Sequence, residues 1–225
     1  MTLAQREALT AVGGFAAALA HEIRNPLTSI RIDLQRIEEA LPAESLLRLP
    51  LARALREVGR LDRTVSGALR IARSGQVGSD VIDLRLPLRR AAEVAASAFE
   101  QSGSILDAGE LDSHPIPVRG NESALEQVFL NLLLNAAQAL DRPGRGTVRA
   151  LRQQGAAHVI FTDSGNGITP MLLARVFDPF VSTKPDGTGL GLPIARQIVM
   201  AHGGTIAIES SPGEGTTVRV ILPLL

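Results

Sequence analysis

Residues 17–30 read AALAHEIRNPLTSI, a stretch in which apolar residues recur at helical spacing. Four residues with reactive, polar or helix-breaking side chains interrupt it within six positions, and they are His21, Glu22, Asn25 and Pro26. A proline inside a helix removes one backbone hydrogen bond and costs about 3 kcal/mol. The carbonyl that loses its partner is that of Glu22, so the helix is weakened beside the histidine. The stretch therefore predicts a helix that carries a chemical site.

The helix predicted around this stretch is long and runs from residue 5 to residue 41. Its apolar residues step by three or four positions, which is typical of a helical bundle or a coiled coil. They are Val12, Phe15, Leu19, Ile23, Leu27, Ile30, Leu34, Ile37 and Leu41. On a helical wheel His21 lies opposite this stripe, so we expect its ring to point into solvent.

A second apolar stripe from Leu51 to Ala72 predicts a second helix, with Pro50 in its first turn. The two helices cannot bury both stripes against each other. We therefore expect the hairpin of residues 1–73 to pair with a second copy into a dimeric four-helix bundle. The polar segment SGQVGSD at 74–80 then predicts a linker.

From residue 81 to residue 225 the pattern alternates between short strands and helices. Strands are predicted at 81–84, 104–106, 115–119, 146–154 and 156–163, helices at 86–101, 122–141 and 191–202, and a hairpin at 203–224. Asn121 is the expected N-cap of the helix at 122–141. Residues 164–188 show little periodicity, and a loop of that length in a compact domain is usually functional, such as a lid.

The composition excludes several classes of protein. Lys and Arg total 23 and Asp and Glu total 23, which argues against broad electrostatic binding to nucleic acid. The chain has no cysteine, so disulfides and thiolate metal sites are excluded. No apolar run reaches the roughly 18 residues that span a bilayer, and no leader segment opens the chain. These features predict a soluble chain without a membrane span in a reducing compartment, which is the bacterial cytoplasm, either as a separate protein or as the cytosolic part of a larger or membrane-associated one.

The residues around His21 form the first candidate site. A neutral imidazole is a good nucleophile, and an adjacent carboxylate such as Glu22 can orient or deprotonate its second nitrogen. Asn25 lies one turn further on the same face. The alternative is an ordinary solvated helix face that holds an exposed histidine.

The second candidate site combines two asparagines with a strand-ending aspartate. In NLLLNAAQA, Asn131 and Asn135 lie one turn apart on an otherwise apolar helix, and an amide oxygen can bind Mg²⁺. In DSGNGI, Asp163 ends an apolar strand, and Gly165 and Gly167 allow a ligand to approach the backbone. The alternatives are amides that bridge core groups and an ordinary turn.

The third candidate is the glycine run in KPDGTGLGLP, which leads into the helix at 191–202. Exposed N–H groups at a helix start suit phosphate. The candidate residues are Lys184, Gly187, Thr188, Gly189, Leu190 and Gly191. By itself a glycine run before a helix is a weak signal, and the G-K-[ST] ending of a P-loop is absent.

Taken in order, these motifs resemble those of the sensor histidine kinases of two-component signalling. HEIRNPL looks like the phospho-acceptor H-box, NLLLNAAQA the N-box, DSGNGI the G1 box, FDPFVSTK the F-box and GTGLGL the G2 box. The pieces NAAQA and FDPFVSTK look most like the nitrogen-regulation branch. The resemblance implies that residues 81–225 form an ATP-binding α/β sandwich of the gyrase and heat-shock chaperone type, with helices on one face of a mixed sheet.

The resemblance also implies a role for each candidate residue. His21 would accept the γ-phosphoryl group, Glu22 would deprotonate its other nitrogen, and Asn25 would help to position water when the partner is dephosphorylated. Asn135 would bind Mg²⁺, with Asn131 in the same site. Residues 168–188 would form the ATP lid, packed by Phe177 and Phe180. The remaining roles are adenine binding by Asp163 with Gly165 and Gly167, and phosphate binding by Lys184, Gly187, Thr188, Gly189, Leu190 and Gly191.

One departure from the wider ATPase superfamily favours phosphoryl transfer over hydrolysis. Gyrase-like members carry a glutamate one turn before the metal-binding asparagine, whereas this chain has Asn131, which is not a base. The expected activity is autophosphorylation of His21 by ATP and transfer to an aspartate of a response regulator, with a homodimer and an upstream sensor as partners. The alternatives are a dimeric ATP-binding module without kinase activity, a chain that acts only as a phosphatase, and an ATPase or serine kinase.

Overall fold

The computed structural model describes residues 23, 25–42, 44–73, 80–111, 113–184 and 187–225. His21 and Glu22, about half of the predicted first helix and most of the predicted linker lie outside these residues. The chain divides into two compact units. The first comprises Met1–Gly75 with Phe180–Leu190, and the second comprises Gln76–Pro179 with Gly191–Leu225.

The first unit contains a helical hairpin. The described part of helix α1 covers residues 25–40, and helix α2 covers Arg48–Arg73. The last carbonyls of a helix lack partners within it. Arg48 meets this need, because its Nε donates to the carbonyl of Pro42 at 3.1 Å and its terminal nitrogen donates to the carbonyl of Leu41 at 3.1 Å. Pro50 lies in the first turn of α2, as predicted.

The second unit is built on a five-stranded mixed sheet. Its strands are β2 (Ile105–Leu111), β4 (Arg145–Gln153), β5 (Ala156–Asp163), β6 (Thr205–Ser211) and β7 (Gly215–Pro223), in the order β2-β4-β5-β7-β6. The β2–β4 pair is parallel, and the other pairs are antiparallel. Strand β5 is therefore central, and its last residue lies between Gly146 and Thr216.

Three helices pack on the sheet, namely α3 (Arg85–Gln101), α4 (Glu122–Gln138) and α6 (Gly191–Ala201). Alternate residues of β5 are buried, and the others are only partly covered, which is the pattern of a sheet covered on one face. Phe129 of α4 and Phe161 of β5 are buried between the layers, with ring centroids 5.9 Å apart. This architecture confirms the predicted α/β sandwich with helices on one face.

A small two-stranded sheet lies beside this layer. It pairs β1 (Val81–Asp83) with β3 (Pro117–Arg119) in antiparallel register. Asp83 links this small sheet to the residues around it. Its Oδ1 accepts a hydrogen bond from the backbone N–H of Ile116 at 3.0 Å, and its Oδ2 accepts one from the guanidinium of Arg85 at 2.7 Å. The Arg85 hydrogen bond lowers the pKa of the Asp83 carboxyl, against a smaller opposing effect of burial, and the Ile116 N–H adds to the lowering.

Two predicted boundaries differ from the structure by more than two residues, and one predicted loop contains a helix. The strand predicted at 104–106 extends to Leu111. The helix predicted to reach residue 141 ends at Gln138, and the carbonyl of the next residue, Ala139, accepts from the N–H of Asn166 in the loop after β5 at 3.1 Å. The predicted loop 164–188 contains a short helix, α5 (Pro170–Leu173). Within the described ranges, no helix is long and apolar enough to cross a bilayer.

Candidate functional site

Helix α4 presents the two predicted asparagines at the edge of the core. Asn121 caps the helix, as predicted, because its side chain accepts from the N–H of Ala124 at 2.9 Å. The apolar residues of α4 are buried, and they are Leu125, Val128, Phe129, Leu132, Leu133, Ala136 and Ala137. Asn131 and Asn135 are partly buried and share one face, as expected for residues four positions apart.

The two asparagines differ in their surroundings. The Oδ1 of Asn131 accepts from Gln127 at 2.9 Å, and its Nδ2 donates to the carbonyl of Gly191 at 3.5 Å. The Asn131 side chain therefore links α4 to the start of α6. Among the residues that the structure describes, none forms a hydrogen bond with the Asn135 side chain. Its Nδ2 lies 3.8 Å from the position that a Cβ would take at Gly191, so Asn135 also adjoins the start of α6.

Asp163 ends the central strand and is 7% exposed. Its Oδ1 accepts from the backbone N–H of Gly165 at 2.9 Å, which forms a tight turn beyond the strand. A buried carboxylate at the end of a central strand is costly unless it is hydrogen-bonded. The turn supplies one such bond, and it fixes the orientation of the carboxylate.

The predicted glycines of this turn lie against neighbouring backbone. A Cβ at Gly165 would approach the carbonyl oxygen of Ala139 to 2.5 Å, and a Cβ at Gly167 would approach that of Ser211 to 1.9 Å. Gly167 also has φ +66°, a conformation that favours glycine. The turn therefore packs against the end of α4, one helical turn beyond Asn135. The end of β5, the second half of α4 and the start of α6 thus meet at one place in the second unit.

The other predicted phosphate-binding residues lie in Phe180–Leu190, which belongs to the first unit. The N–H of Phe180 donates to the carbonyl of Gly189 at 3.0 Å, and Gly189 has φ +65° with no room for a Cβ beside Phe180. A Cβ at Gly187 would lie 2.1 Å from the hydroxyl of Ser182. Lys184, Thr188 and Leu190 belong to the same segment, and Leu190 is buried. The role of these five residues in phosphate binding stays a prediction.

The catalytic candidates are covered only in part. His21 and Glu22 lie outside the described residues, so the predicted direction of the His21 ring stays untested. Asn25 is described, and it is exposed on α1 beside the exposed Pro26. Of the two phenylalanines expected to pack the lid, Phe177 is partly buried, but Phe180 is 65% exposed. The packing expectation is therefore wrong for Phe180.

Two contacts of the second unit gave no signal in the sequence. The guanidinium carbon of Arg196 in α6 lies 5.1 Å from the ring centroid of Phe177, a cation–π contact. His202 is 7% exposed, and its ring lies against Asn121 and Gly120. Both contacts join positions that are far apart in sequence, and no local spacing pattern indicates them.

Two family models match the chain, one for each of the predicted domains. Residues 11–76 match the His kinase A phospho-acceptor domain. Residues 120–225 match the domain described as histidine kinase-, DNA gyrase B- and HSP90-like ATPase. The first range includes His21, and the second includes Asn131, Asn135, Asp163 and Gly191. The second unit is therefore built on an ATP-binding domain family.

A curated relative extends the match over nearly the whole chain. The sensor histidine kinase ZraS of Klebsiella oxytoca is 38% identical over 226 residues, which cover 98% of this chain and 48% of the relative. The chain thus spans about half the length of this curated relative.

Solved structures agree with this result. Full-length ShkA in complex with AMPPNP has a TM-score of 0.77 at 26% identity, over 95% of this chain and 46% of that one. Histidine kinase ThkA in complex with the response regulator TrrA has a TM-score of 0.69 at 26% identity, over 98% and 64%. The mycobacterial sensor histidine kinase MprB has a TM-score of 0.58 at 30% identity, over 65% and 97%. The chain belongs to the sensor histidine kinases of two-component systems.

Proposed function

We propose that the chain transfers the γ-phosphoryl group of ATP to His21 and then passes it to an aspartate of a response regulator. The observation that carries the proposal is the meeting of Asn135, the Asp163 turn and the start of α6 in the second unit. This arrangement lies in the ATPase-family domain of a chain whose phospho-acceptor domain contains HEIRNP.

Adenine recognition is assigned to the turn after β5. The Asp163 carboxylate would accept a hydrogen bond from the exocyclic amine of adenine, while its Oδ1 is held by the N–H of Gly165. A fixed, nearly buried acceptor can reject a base that lacks the amine, because its own hydrogen bond would be lost. Gly165 and Gly167 keep side chains away from the base and hold the turn against α4.

Magnesium is assigned to Asn135, with Asn131 beside it. The Asn135 side chain fits this role, because an amide oxygen is a hard ligand and no described residue forms a hydrogen bond with it. When bound, Mg²⁺ would neutralise charge on the phosphates. Lys184, Gly187, Thr188, Gly189, Leu190 and Gly191 are proposed to surround the phosphates with N–H groups, a hydroxyl and a positive charge.

The reaction assigned to the first unit is an in-line transfer. A ring nitrogen of His21 would bond to the γ-phosphorus as the bond to the bridging oxygen breaks, and ADP would leave with that electron pair. Glu22 would take the proton from the other ring nitrogen. Most of the acceleration would come from positioning and charge neutralisation. Asn25, exposed on α1, is assigned to the reverse task of placing water against the phosphorylated partner.

The proposed assembly is a homodimer. Ile23, Ile30 and Ile37 recur every seven residues on α1, and they stay 39%, 47% and 49% exposed in the single chain. Such a heptad stripe supports pairing with a second copy through residues 1–73. Residues 74–80 would link this domain to the catalytic domain at 81–225. A response regulator receiver domain and an upstream sensor are the other proposed partners. The proposed location is the cytoplasm, where ATP is available.

The chemical stability of the transferred phosphoryl group tests the proposal. The chain is incubated with magnesium and ATP radiolabelled at the γ-position, and the protein-bound label is then exposed to acid and to alkali. We expect label that is lost in acid, is stable in alkali and is absent from His21→Gln. Alkali-labile label on serine would instead indicate a serine kinase, and free phosphate released equally by His21→Gln would indicate an ATPase.

A further inference from the structure

His202 joins the two helices that carry the candidate nucleotide site. The backbone N–H of Asn121 lies 3.0 Å from its Nε2, and the carbonyl oxygen of Ile198 lies 2.7 Å from its Nδ1. An amide N–H only donates and a carbonyl only accepts. The proton is therefore on Nδ1, Nε2 is the acceptor, and the ring is neutral.

The His202 contact links α6 to α4 at a distance from the candidate nucleotide site. His202 directly follows α6, and Asn121 directly precedes α4. Near the middle of α4, Asn131 donates to the carbonyl of Gly191, the first residue of α6, at 3.5 Å. The helices are thus antiparallel. The ten residues from Asn121 to Asn131 and the eleven from Gly191 to His202 span about 15 and 16 Å.

A third residue holds the ring in place. A Cβ at Gly120 would lie 2.3 Å from Cδ2 and 2.7 Å from Nε2 of His202, so the imidazole packs directly on the Gly120 backbone. The ring cannot move toward the backbone of residue 120 without a steric overlap. Together with the two hydrogen bonds, this packing fixes the axial position of α6 against α4.

We propose that His202 is a positioning residue for nucleotide binding, an inference that rests on the proposed function. It acts through α6, whose first residue, Gly191, adjoins the amide of Asn135. A helix that is fastened at one end only can slide or rotate along its neighbour. Loss of the His202 contact would therefore let α6 shift along α4. This shift would displace Gly191, which lies about 16 Å from His202 along α6, from its place beside Asn135.

Two near-isosteric variants separate this role from simple packing. In His202→Gln the side-chain oxygen reaches the place of Nε2 and keeps an acceptor for Asn121. In His202→Asn the amide nitrogen takes the place of Nδ1, so the bond to Ile198 is kept and the link to α4 is lost. The core truncation Val148→Ala, at a residue 1% exposed in β4, is the control for a general loss of stability.

The test measures the affinity of the full chain for magnesium AMPPNP by calorimetry, well below the lowest melting temperature of the set. We expect His202→Gln to bind nearly as well as the unaltered chain. We expect His202→Asn and His202→Ala to bind about tenfold more weakly, the size of one lost hydrogen bond. Val148→Ala should bind normally, although it melts at a lower temperature.

The positioning role is wrong if His202→Gln and His202→Asn bind the nucleotide with equal affinity. It is also wrong if affinity follows melting temperature across all variants, including Val148→Ala. The unaltered chain separates this failure from that of the proposed function. If it binds no nucleotide, the proposed function itself is wrong. The tautomer is tested without nucleotide, because ¹⁵N chemical shifts of the His202 ring should show the proton on Nδ1, and a proton on Nε2 would overturn the link.

Discussion

The Oδ1 of Asp163 accepts a hydrogen bond from the backbone N–H of Gly165 at 2.9 Å, at the end of the central strand of the sheet. This bond orients a carboxylate that is 7% exposed. It also decides which atom of a substituted side chain would face the proposed adenine.

We predict that Asp163→Asn strongly weakens nucleotide binding while the domain stays folded. The amide oxygen would keep the bond to Gly165, so the amide nitrogen would take the place of the second carboxylate oxygen. A donor would then face the donor amine of adenine. Loss of a hydrogen bond to a charged group weakens binding about tenfold to a hundredfold. Calorimetric titration with nucleotide and circular dichroism check the two parts. Unchanged affinity would contradict the adenine assignment.

We predict that Gly167→Ala damages the site far more than Gly213→Ala does. Both glycines have positive φ, +66° and +81°, so either alanine carries a strain of about 1–2 kcal/mol. Only at Gly167 would the new Cβ meet a backbone oxygen, that of Ser211 at 1.9 Å, whereas Gly213 faces open space. The overlap adds about 1–3 kcal/mol.

Urea denaturation of the two glycine variants measures the difference, and nucleotide titration follows its effect on the site. Gly213→Ala should lose stability modestly and bind nucleotide normally. Equal losses of stability in the two variants would show that strain alone, and not the close approach to Ser211, governs this turn.

We predict that Asn135→Ala removes the magnesium dependence of nucleotide binding without loss of stability. The Asn135 side chain has no hydrogen bond among the described residues, so its removal exposes no buried partner. Asn131→Ala is the matched control. It breaks the bonds to Gln127 and to the Gly191 carbonyl, and we expect it to lower the free energy of unfolding by about 1–2 kcal/mol.

Titrations with and without a chelator measure the metal contribution for both asparagine variants. The unaltered chain should bind nucleotide more weakly when the chelator removes Mg²⁺, whereas Asn135→Ala should bind equally weakly in both conditions. If the nucleotide affinity of Asn135→Ala falls with the chelator as much as that of the unaltered chain, Asn135 is not the magnesium ligand.

Acid should weaken the hydrogen bonds that the Asp83 carboxylate accepts from Arg85 and Ile116. The hydrogen bond from Arg85, then that from Ile116, holds the pKa of Asp83 below its ordinary value of 3.8 despite the opposing effect of burial. A lowered pKa in the folded state contributes stability above pH 3.8, and this contribution is lost as the pH falls through the folded-state pKa. We predict that Asp83→Asn lowers the free energy of unfolding at neutral pH by about 1–3 kcal/mol.

The pH profile of the unfolding free energy checks this prediction. The difference in unfolding free energy between the unaltered chain and Asp83→Asn should be constant near neutral pH and should decrease in acid. Asp107→Asn is the control, since the pKa of Asp107 is also lowered by an arginine, Arg145, but on the exposed surface. We expect a smaller effect there, because solvent screens exposed pairs. A difference for Asp83→Asn that does not change with pH would contradict the assignment.

Much of the catalytic domain is readable from the sequence because its signals are local. The apolar run that ends at Asp163 predicted β5, and the Asn121 cap with the apolar period predicted the start of α4. Asn131 and Asn135 stand out because amides on an apolar helix need partners. The Asp163 turn stands out because its glycines are closely spaced.

The missed features depend on contacts between distant segments. Strand β2 includes DAGEL, a poor strand sequence, and its parallel pairing with β4 is interrupted by a bulge between Asp107 and Glu110. Helix α4 ends earlier than predicted, and the loop after β5 donates to the carbonyl of the next residue, Ala139. The partner of His202 lies 81 residues away in the sequence, so no local pattern could reveal it.

In the proposed function, the site at Asn135 and Asp163 supplies the phosphoryl group that His21 receives. The most direct measurement is mass-spectrometric location of the phosphoryl group, under alkaline conditions, after incubation with magnesium and ATP. We predict a phosphoryl group on His21 in the unaltered chain and a large reduction of it, at the same ATP concentration, in Asn135→Ala and Asp163→Asn. Phosphorylation at another residue, or of His21 to the same extent in both variants, would contradict it.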